Sequence, residues 1–276
     1  MTSNSPDPAA LGALAQAVAR EAGALLMERL AGTREIDTKT SPVDVVTEVD
    51  RASEALIVRR ILEARPGDGF LGEEGADRAS TSGVRWIVDP IDGTVNYLYR
   101  RPDFAVCIAA EVAGEVVAGA VYNPFLDELF AAVAGEGATR NGEPLHVSTE
   151  ACLDHALCGT GFDYRVEGRR AQGPVLARVV TEVRDIRRAG SAALDLCAVA
   201  CGRLDVYYER GVHLWDIAAA GLIVREAGGH AETLDGGPVE DNMWIATNAA
   251  LFPAFRALIL DATEDATGEA AEHAAQ

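Results

Sequence analysis

The chain has 276 residues, 49% of them hydrophobic, which is enough for one large core or two joined subdomains, and we expect one compact unit. Its formal net charge is −19, from 43 Asp and Glu against 24 Lys and Arg. No basic block is present, so neither nucleic acid nor an anionic membrane is expected as the main partner.

The cysteine pattern and the N-terminus indicate the compartment. Five cysteines are an odd number and lack CxxC spacing, which argues against a disulfide framework and favours reduced cytosol. The first ten residues lack a basic stretch followed by an apolar segment, and no uncharged apolar run of about 20 residues follows. We therefore predict a cytoplasmic protein.

The first half of the chain alternates helix and strand signals. Apolar spacing predicts a helix over 8–31. A second helix follows Thr47, with Thr47 and Asp50 as a capping signature and Pro66-Gly67 as its end. Strands are predicted at 86–88 and 129–134, with a hairpin formed by 104–112 and 115–122.

The second half repeats this mixture. Helical spacing covers 171–183, 192–200 and 216–227, and 204–208 is typical of a strand. The segment after about residue 261 is rich in Ala, Glu and Thr without large apolar residues. We predict one catalytic unit over 8–262, with subdomains of about 8–150 and 151–262, and disordered tails at 1–7 and 263–276.

The segment 86–94, WIVDPIDGT, carries the strongest chemical signal. An apolar strand ends in Asp89 and Asp92, and Pro90 and Gly93 favour a stiff turn that brings backbone close to a ligand. Mg²⁺ prefers carboxylates, carbonyl oxygens, waters and substrate phosphate, which this loop can supply together. Bound cations would also reverse the local negative charge for a phosphate ligand. Taken alone, Asp-x-x-Asp is often only a solvated turn.

Two further acidic elements strengthen the interpretation. Glu73 and Glu74 follow apolar Phe70-Leu71, and Asp216 follows Trp215 at a predicted helix start. Taken singly, the first is more often an exposed acidic loop and the second a helix cap.

These motifs together resemble the inositol monophosphatase family. The resemblance rests on Gly72-Glu73-Glu74, WIVDPIDGT and Trp215-Asp216, and it extends from the 39–44 segment through 188–193 to 226–229. It implies an α+β fold, a layered αβαβα sandwich, and a phosphomonoesterase that uses two or three Mg²⁺ ions.

The resemblance also implies roles for individual residues. The first magnesium would be held by Glu73, Asp89 and the carbonyl of Ile91, and the second by Asp89, Asp92 and Asp216. Asp44 and Thr94 would orient the attacking water near a third metal, and Glu73 would also be a catalytic residue. The substrate-binding residues would be Gly93, Thr94, Gly190, Ser191, Ala192, Glu209 and Asp216, so Thr94 and Asp216 would each have two roles.

Substrate identity stays open at the level of sequence. Glu209 suits inositol hydroxyls but equally an ammonium group, so histidinol phosphate is an alternative to inositol 1-phosphate. Fructose 1,6-bisphosphate and 3′-phosphoadenosine 5′-phosphate are further alternatives. His213 receives no role, and Asp163 is expected to border the site.

A different class of function is a regulatory partner of the RNA-synthesis machinery, since some bacterial members resemble such partners. The intact acidic set argues against a lost active site but does not exclude a second role. The resemblance also implies a homodimer and inhibition by lithium.

Overall fold

The computed structural model describes residues 6–30, 32, 36–38, 45–239 and 242–274. Its first half builds one large sheet with flanking helices and a two-stranded ribbon. The elements are, in chain order, α1 (Pro8–Arg29), β1 (Ile36–Thr38), β2 (Val45–Thr47), α2 (Glu48–Ala64), β3 (Gly69–Gly72), β4 (Asp77–Arg78), β5 (Val84–Asp92), α3 (Thr94–Leu98), β6 (Ala105–Val112), β7 (Glu115–Asn123), β8 (Glu128–Val133), β9 (Gly137–Arg140) and β10 (Glu143–Pro144).

The large sheet has the order β10-β9-β8-β7-β6-β5-β3-β4. Its neighbours pair antiparallel except β3 and β5, which run parallel. The predicted hairpin is confirmed, because β6 and β7 pair with Val112 opposite Glu115. The parallel pair matters most for function, since it brings the carboxyl ends of β3 and β5 to the same edge.

The second half builds a smaller mixed sheet of order β12-β11-β13-β15-β14. Strand β11 is parallel to both β12 and β13, whereas β15 is antiparallel to β13 and β14. The elements are β11 (Leu157–Thr160), α4 (Val166–Val179), β12 (Asp185–Arg187), α5 (Ala192–Ala200), β13 (Val206–Arg210), α6 (Leu214–Glu226), β14 (Gly229–Thr233), β15 (Met243–Asn248) and α7 (Phe252–Ala274).

The two sheets and the helices stack in five layers. Helices α1 and α2 cover one face of the large sheet, α5 and α6 lie between the sheets, and α4 and α7 cover the outer face of the small sheet. Among the described residues, one apolar cluster lies under each outer helical layer, and a third runs through the middle helical layer from one sheet to the other. This order confirms the predicted α+β, αβαβα fold.

Helix α1 is long and apolar enough, by length and composition, to cross a membrane. Its apolar residues instead pack in the outer core against the large sheet and α2. Leu11, Ala15, Ala22 and Leu26 are at most 1% exposed. The apolar character of α1 is therefore explained by packing inside this fold.

Helix α7 continues to Ala274, past residue 263 where the sequence analysis placed a disordered tail. The last described buried side chain on it is Ala262. Ala and Glu, which dominate the following residues, have high helix propensity, so the backbone continues as helix without large apolar side chains. A segment without large apolar residues can therefore still be helical, as it is here.

Candidate active site

The carboxylates at the end of β5 are buried although they are acidic. Asp89 is 2% and Asp92 is 8% exposed. The amide of Ile91 donates to Asp89 Oδ1 at 2.9 Å, and the pairing of β5 with β6 becomes irregular between the two Asp residues. The strand therefore breaks its regular ladder where the motif begins, which presents both carboxylates at one edge of the sheet.

Glu73 joins them because β3 runs parallel to β5. Gly72 pairs with Val88, and the amide of Glu73 donates to the carbonyl of Val88 at 3.2 Å. Glu73 thus leaves its strand beside Asp89, and its carboxylate contributes to raising the pKa of Asp89.

Asp216 reaches the same place from the other half of the chain. It lies in the first turn of α6, where its Oδ2 accepts from the amide of His213 at 2.7 Å. The side chain is therefore both a helix cap and a member of the acidic cluster. The His213 ring stacks on Trp215 with centroids 4.9 Å apart.

Crowding of these carboxylates changes their acidity. Burial, followed by the charges of neighbouring carboxylates, raises the pKa of Asp89 and of Asp216 well above the ordinary value. Burial also raises the pKa of Asp92 to about 6, although hydrogen bonds from Ser191 and Ala193 oppose the rise. Uncompensated negative charge of this kind is costly in a buried site, and cations relieve it.

The donor set fits a hard divalent cation. Glu73, Asp89, Asp92 and Asp216 offer carboxylate oxygens around one pocket, and Ile91 in the same lining adds a backbone carbonyl. Of the described residues that line this pocket, Arg188 is the only Lys or Arg, and the sequence analysis did not single it out. The protein itself therefore supplies little positive charge to balance the acids.

Thr94 is held by a residue that the sequence analysis assigned to helix capping. Its Oγ1 lies 3.1 Å from Asp50 Oδ1 and 3.1 Å from the carbonyl oxygen of Ile91. Asp50 is 1% exposed and comes from α2. The predicted partner of Thr94, Asp44, lies outside the described residues.

A signal for Asp50 was present in the sequence. The buried face of α2 carries Asp50, Ser53 and Glu54 at the same helical spacing as apolar Val49 and Ile57. Polar side chains on a buried helix face require partners inside the fold. Such a pattern indicates a functional or structural network even when its partners are distant in sequence.

The wall opposite the β5 loop comes from α5 and β13. Ser191 caps α5 and donates its hydroxyl to Asp92 Oδ2 at 2.5 Å, while the amide of Ala193 donates to the same oxygen at 2.8 Å. The Ser191 side chain is thus engaged with Asp92, which leaves backbone groups of 190–192 to face a ligand.

Glu209 lies on this wall with a constrained environment. Tyr207 donates its hydroxyl to Glu209 Oε2 at 2.6 Å. Burial raises the pKa of Glu209 to about 7, while Tyr207 and Arg188 oppose the rise. A Cβ at Gly161 would lie 2.1 Å from the carboxylate, so the small residue makes room for it.

One pocket unites the predicted residues. Apart from Asp44, every predicted site residue lines it, and Asp163 and His213 border it as well. The lining includes Glu73, Asp89, Ile91, Asp92, Gly93, Thr94, Gly190, Ser191, Ala192, Glu209 and Asp216.

Comparison with known proteins agrees with this geometry. The model of the inositol monophosphatase family matches residues 7–269. The inositol-1-monophosphatase of Mycobacterium bovis is 45% identical over 247 residues, covering 83% of this chain and 85% of that protein. The Nus factor SuhB of Salmonella typhimurium is 42% identical over 196 residues, covering 70% and 73%.

A solved structure has the same fold. The extragenic suppressor protein suhB from Bartonella henselae superposes with a TM-score of 0.86 at 38% identity, covering 91% of this chain and 98% of that one. With the acidic pocket already in place, these similarities establish that this chain is a phosphatase that belongs to the inositol monophosphatase family.

Proposed function

We propose that this phosphatase hydrolyses inositol 1-phosphate to inositol and phosphate with Mg²⁺. The observation that carries the proposal is the convergence of four acidic side chains, from the turn after β3, from β5 and from α6, in one pocket. The name of the mycobacterial relative, an inositol-1-monophosphatase, supports the choice of substrate.

The acidic residues would hold the metal in two groups. Glu73, Asp89 and the Ile91 carbonyl would bind one ion, and Asp89, Asp92 and Asp216 a second. When bound, Mg²⁺ supplies positive charge that neutralises the phosphate and lowers the pKa of a bound water.

Thr94 would orient the attacking water. Its hydroxyl donates to Asp50 or to the carbonyl of Ile91, which leaves Oγ1 lone pairs free to accept a hydrogen bond from water. The water oxygen then forms a bond to phosphorus and gives up a proton to solvent, while the bond from phosphorus to the ester oxygen breaks in line. The leaving alkoxide takes a proton from solvent, and no residue of the chain becomes phosphorylated.

The wall of α5 and β13 would hold the polyol. The ionised form of Glu209 accepts hydrogen bonds from hydroxyl groups, and its position is fixed by Tyr207. Backbone groups at Gly93 and Thr94 line the pocket beside the acids and would contact phosphate oxygens.

The test is phosphate release from a substrate panel. We expect the wild type with Mg²⁺ to prefer inositol 1-phosphate over histidinol phosphate, fructose 1,6-bisphosphate and 3′-phosphoadenosine 5′-phosphate. EDTA, which removes the metal, and Asp92→Asn, which removes one metal ligand, should each lower kcat at least about 10²-fold. The exposed Asp261→Asn variant is the matched control and should keep wild-type rates.

The outcomes separate the alternatives. If the enzyme prefers another phosphate ester, the proposed metal-dependent hydrolysis still holds, but the proposed substrate is wrong. The absence of metal-dependent release from every ester would contradict the proposal and favour the regulatory role, for which the Nus factor name of the Salmonella relative is the precedent. A homodimer, a cytoplasmic location and lithium inhibition stay predictions.

A further inference from the structure

The turn that carries Glu73 has a backbone fixed at several points. After β3, the amide of Gly72 donates to the carbonyl of Ala76 at 2.7 Å, which closes the turn 72–76. The amide of Glu73 donates to Val88 of β5 at 3.2 Å. The amides of Glu74 and Ala76 within this turn bind a side chain from another element.

That side chain is Glu54 of α2. Its Oε2 accepts from the amide of Glu74 at 2.9 Å, and its Oε1 accepts from the amide of Ala76 at 2.9 Å. Glu54 is only 6% exposed. Burial raises the pKa of its carboxyl, and the two amides oppose that rise. Both oxygens of one buried carboxylate thus bind the turn that presents Glu73.

Gly72 fits this arrangement closely. A Cβ at position 72 would lie 2.3 Å from Glu54 Oε2 and 2.9 Å from the Cβ of Ala76. Any side chain there would push the carboxylate away from the turn. Glu54 and Gly72 are therefore matched to each other, although 17 residues separate them in the sequence.

Glu54 is also part of a wider pattern on α2. Asp50 contacts Thr94, and the hydroxyl of Ser53 donates to the carbonyl of Pro90 at 3.2 Å. The buried polar face of α2 therefore contacts the turn that carries Glu73 and the segment around the two Asp residues of β5. A helix that only filled the core would be more stable with apolar residues at these positions.

We propose that Glu54 is a positioning residue for metal binding, which holds the backbone of 72–76 so that the Glu73 carboxylate faces Asp89. The inference rests on the proposed function, in which Glu73 is a metal ligand. Glu54 itself does not contact substrate or metal in this scheme. Residues behind metal ligands typically change metal affinity by about 10- to 100-fold when they are replaced.

The first experiment measures metal binding without turnover. Mn²⁺ is titrated into the metal-free protein, and free Mn²⁺ is followed by electron paramagnetic resonance. In Glu54→Gln one side-chain oxygen becomes an NH₂ group, which faces a backbone N–H donor and cannot accept its hydrogen bond. We expect the Kd of the tighter Mn²⁺ site to rise about 10-fold. Glu54→Asp keeps the charge but is shorter, so an intermediate Kd is expected.

The matched control is Glu63→Gln. Glu63 lies on the same helix, its side chain is 54% exposed, and it pairs with Arg60 rather than with the turn. It should bind Mn²⁺ with wild-type affinity.

Turnover provides a second measurement. The Mg²⁺ concentration for half-maximal phosphate release should rise in Glu54→Gln by the same factor as the Mn²⁺ Kd, while kcat at saturating Mg²⁺ stays within about threefold of wild type. A general folding defect would lower kcat at every Mg²⁺ concentration instead. If wild type released no phosphate, the proposed function would fail, and the Mn²⁺ titration would still test Glu54.

A second variant keeps the inference testable if Glu54→Gln does not fold, which circular dichroism reports. Gly72→Ala should displace the Glu54 carboxylate and raise the Mn²⁺ Kd. Unchanged Mn²⁺ affinity in a folded Glu54→Gln, or in Gly72→Ala, would overturn the inference.

Discussion

Thr94 shows at the scale of one residue how a hydroxyl becomes part of a site. A buried hydroxyl must find hydrogen-bond partners, and here the partners are Asp50 of α2 and the carbonyl of Ile91. Both are acceptors, so the hydroxyl proton is donated to one of them, and the oxygen keeps a lone pair that can accept a hydrogen bond from water. In the proposed mechanism, Asp50 would therefore act through Thr94.

Replacement of these two residues tests that relation. Thr94→Val removes the oxygen that would orient water, and kcat should fall about 10²-fold. Asp50→Asn should reduce kcat as well, and the double variant should be little worse than Thr94→Val, because the pair acts as a unit. Steady-state rates at saturating Mg²⁺ measure this.

The control is Thr181→Val, at an exposed position outside the pocket, which should leave kcat unchanged. If the fold-decreases in kcat of the two single variants multiply in the double variant, Asp50 and Thr94 act independently.

The junction of β5 and α3 is the decisive element of the site. Gly93 has φ +89°, in the left-handed region, and it is the N-cap of α3. A Cβ there would lie 2.8 Å from the carbonyl of Asp103 and 3.2 Å from that of Gly190. Glycine is therefore required twice at this junction, for its backbone conformation and for close contact with two neighbouring segments.

Two alanine variants separate these requirements. Gly114, in the β6–β7 hairpin, has φ +86°, and a Cβ added there would have no atom of the described residues within 4 Å. Gly114→Ala should cost about 1–2 kcal/mol of unfolding free energy from the left-handed conformation alone, with normal kcat. Gly93→Ala should cost more and lower kcat, because Thr94 and Asp92 must move. Denaturant unfolding and phosphate release measure both, and equal losses in the two variants would contradict this account.

At the scale of the whole molecule, the site joins the two halves of the chain. The large sheet contributes Glu73, Asp89 and Asp92, while the second half contributes Ser191 and Asp216. The bonds of Asp92 to Ser191 and Ala193 cross this boundary directly. Ionisation and metal binding in the pocket are thus expected to affect the stability of the entire fold.

The pH dependence of the metal-free protein follows from the sign of these shifts. The pKa of Asp92 rises from an ordinary 3.8 to about 6 on folding. Its contribution to stability is therefore complete below about pH 4 and is lost as the pH rises through about 6. In EDTA, this carboxyl should lower the unfolding free energy at pH 8 relative to pH 5 by an amount on the order of 1 kcal/mol.

Under the proposed function, Mg²⁺ should reverse this loss at pH 8, because it would bind the ionised carboxylates of the folded state. Asp92→Asn removes one titrating group and should flatten the pH dependence in EDTA. Denaturant unfolding at the two pH values, with EDTA or Mg²⁺, measures both effects. A variant with the same slope as wild type would show that other groups dominate.

The sequence alone determined those features that are local in the chain. Strand β5 with its terminal Asp residues, the β6–β7 hairpin and helix α5 were predictable because apolar periodicity and turn chemistry act within about ten residues. The family motifs added the acidic set and the αβαβα fold. The end of α7 was not predictable in this way, since helix propensity continued where the buried pattern stopped.

Only the tertiary structure decided which distant residues meet. Thr94 contacts Asp50 across 44 residues of sequence, and Asp92 contacts Ser191 across 99 residues. Glu54 on α2 binds the turn that carries Glu73. Such contacts depend on the parallel pairing of β3 with β5 and on a middle helical layer shared by both sheets. A local pattern can show that a buried polar residue needs a partner, but only the packing of the layers selects which one it obtains.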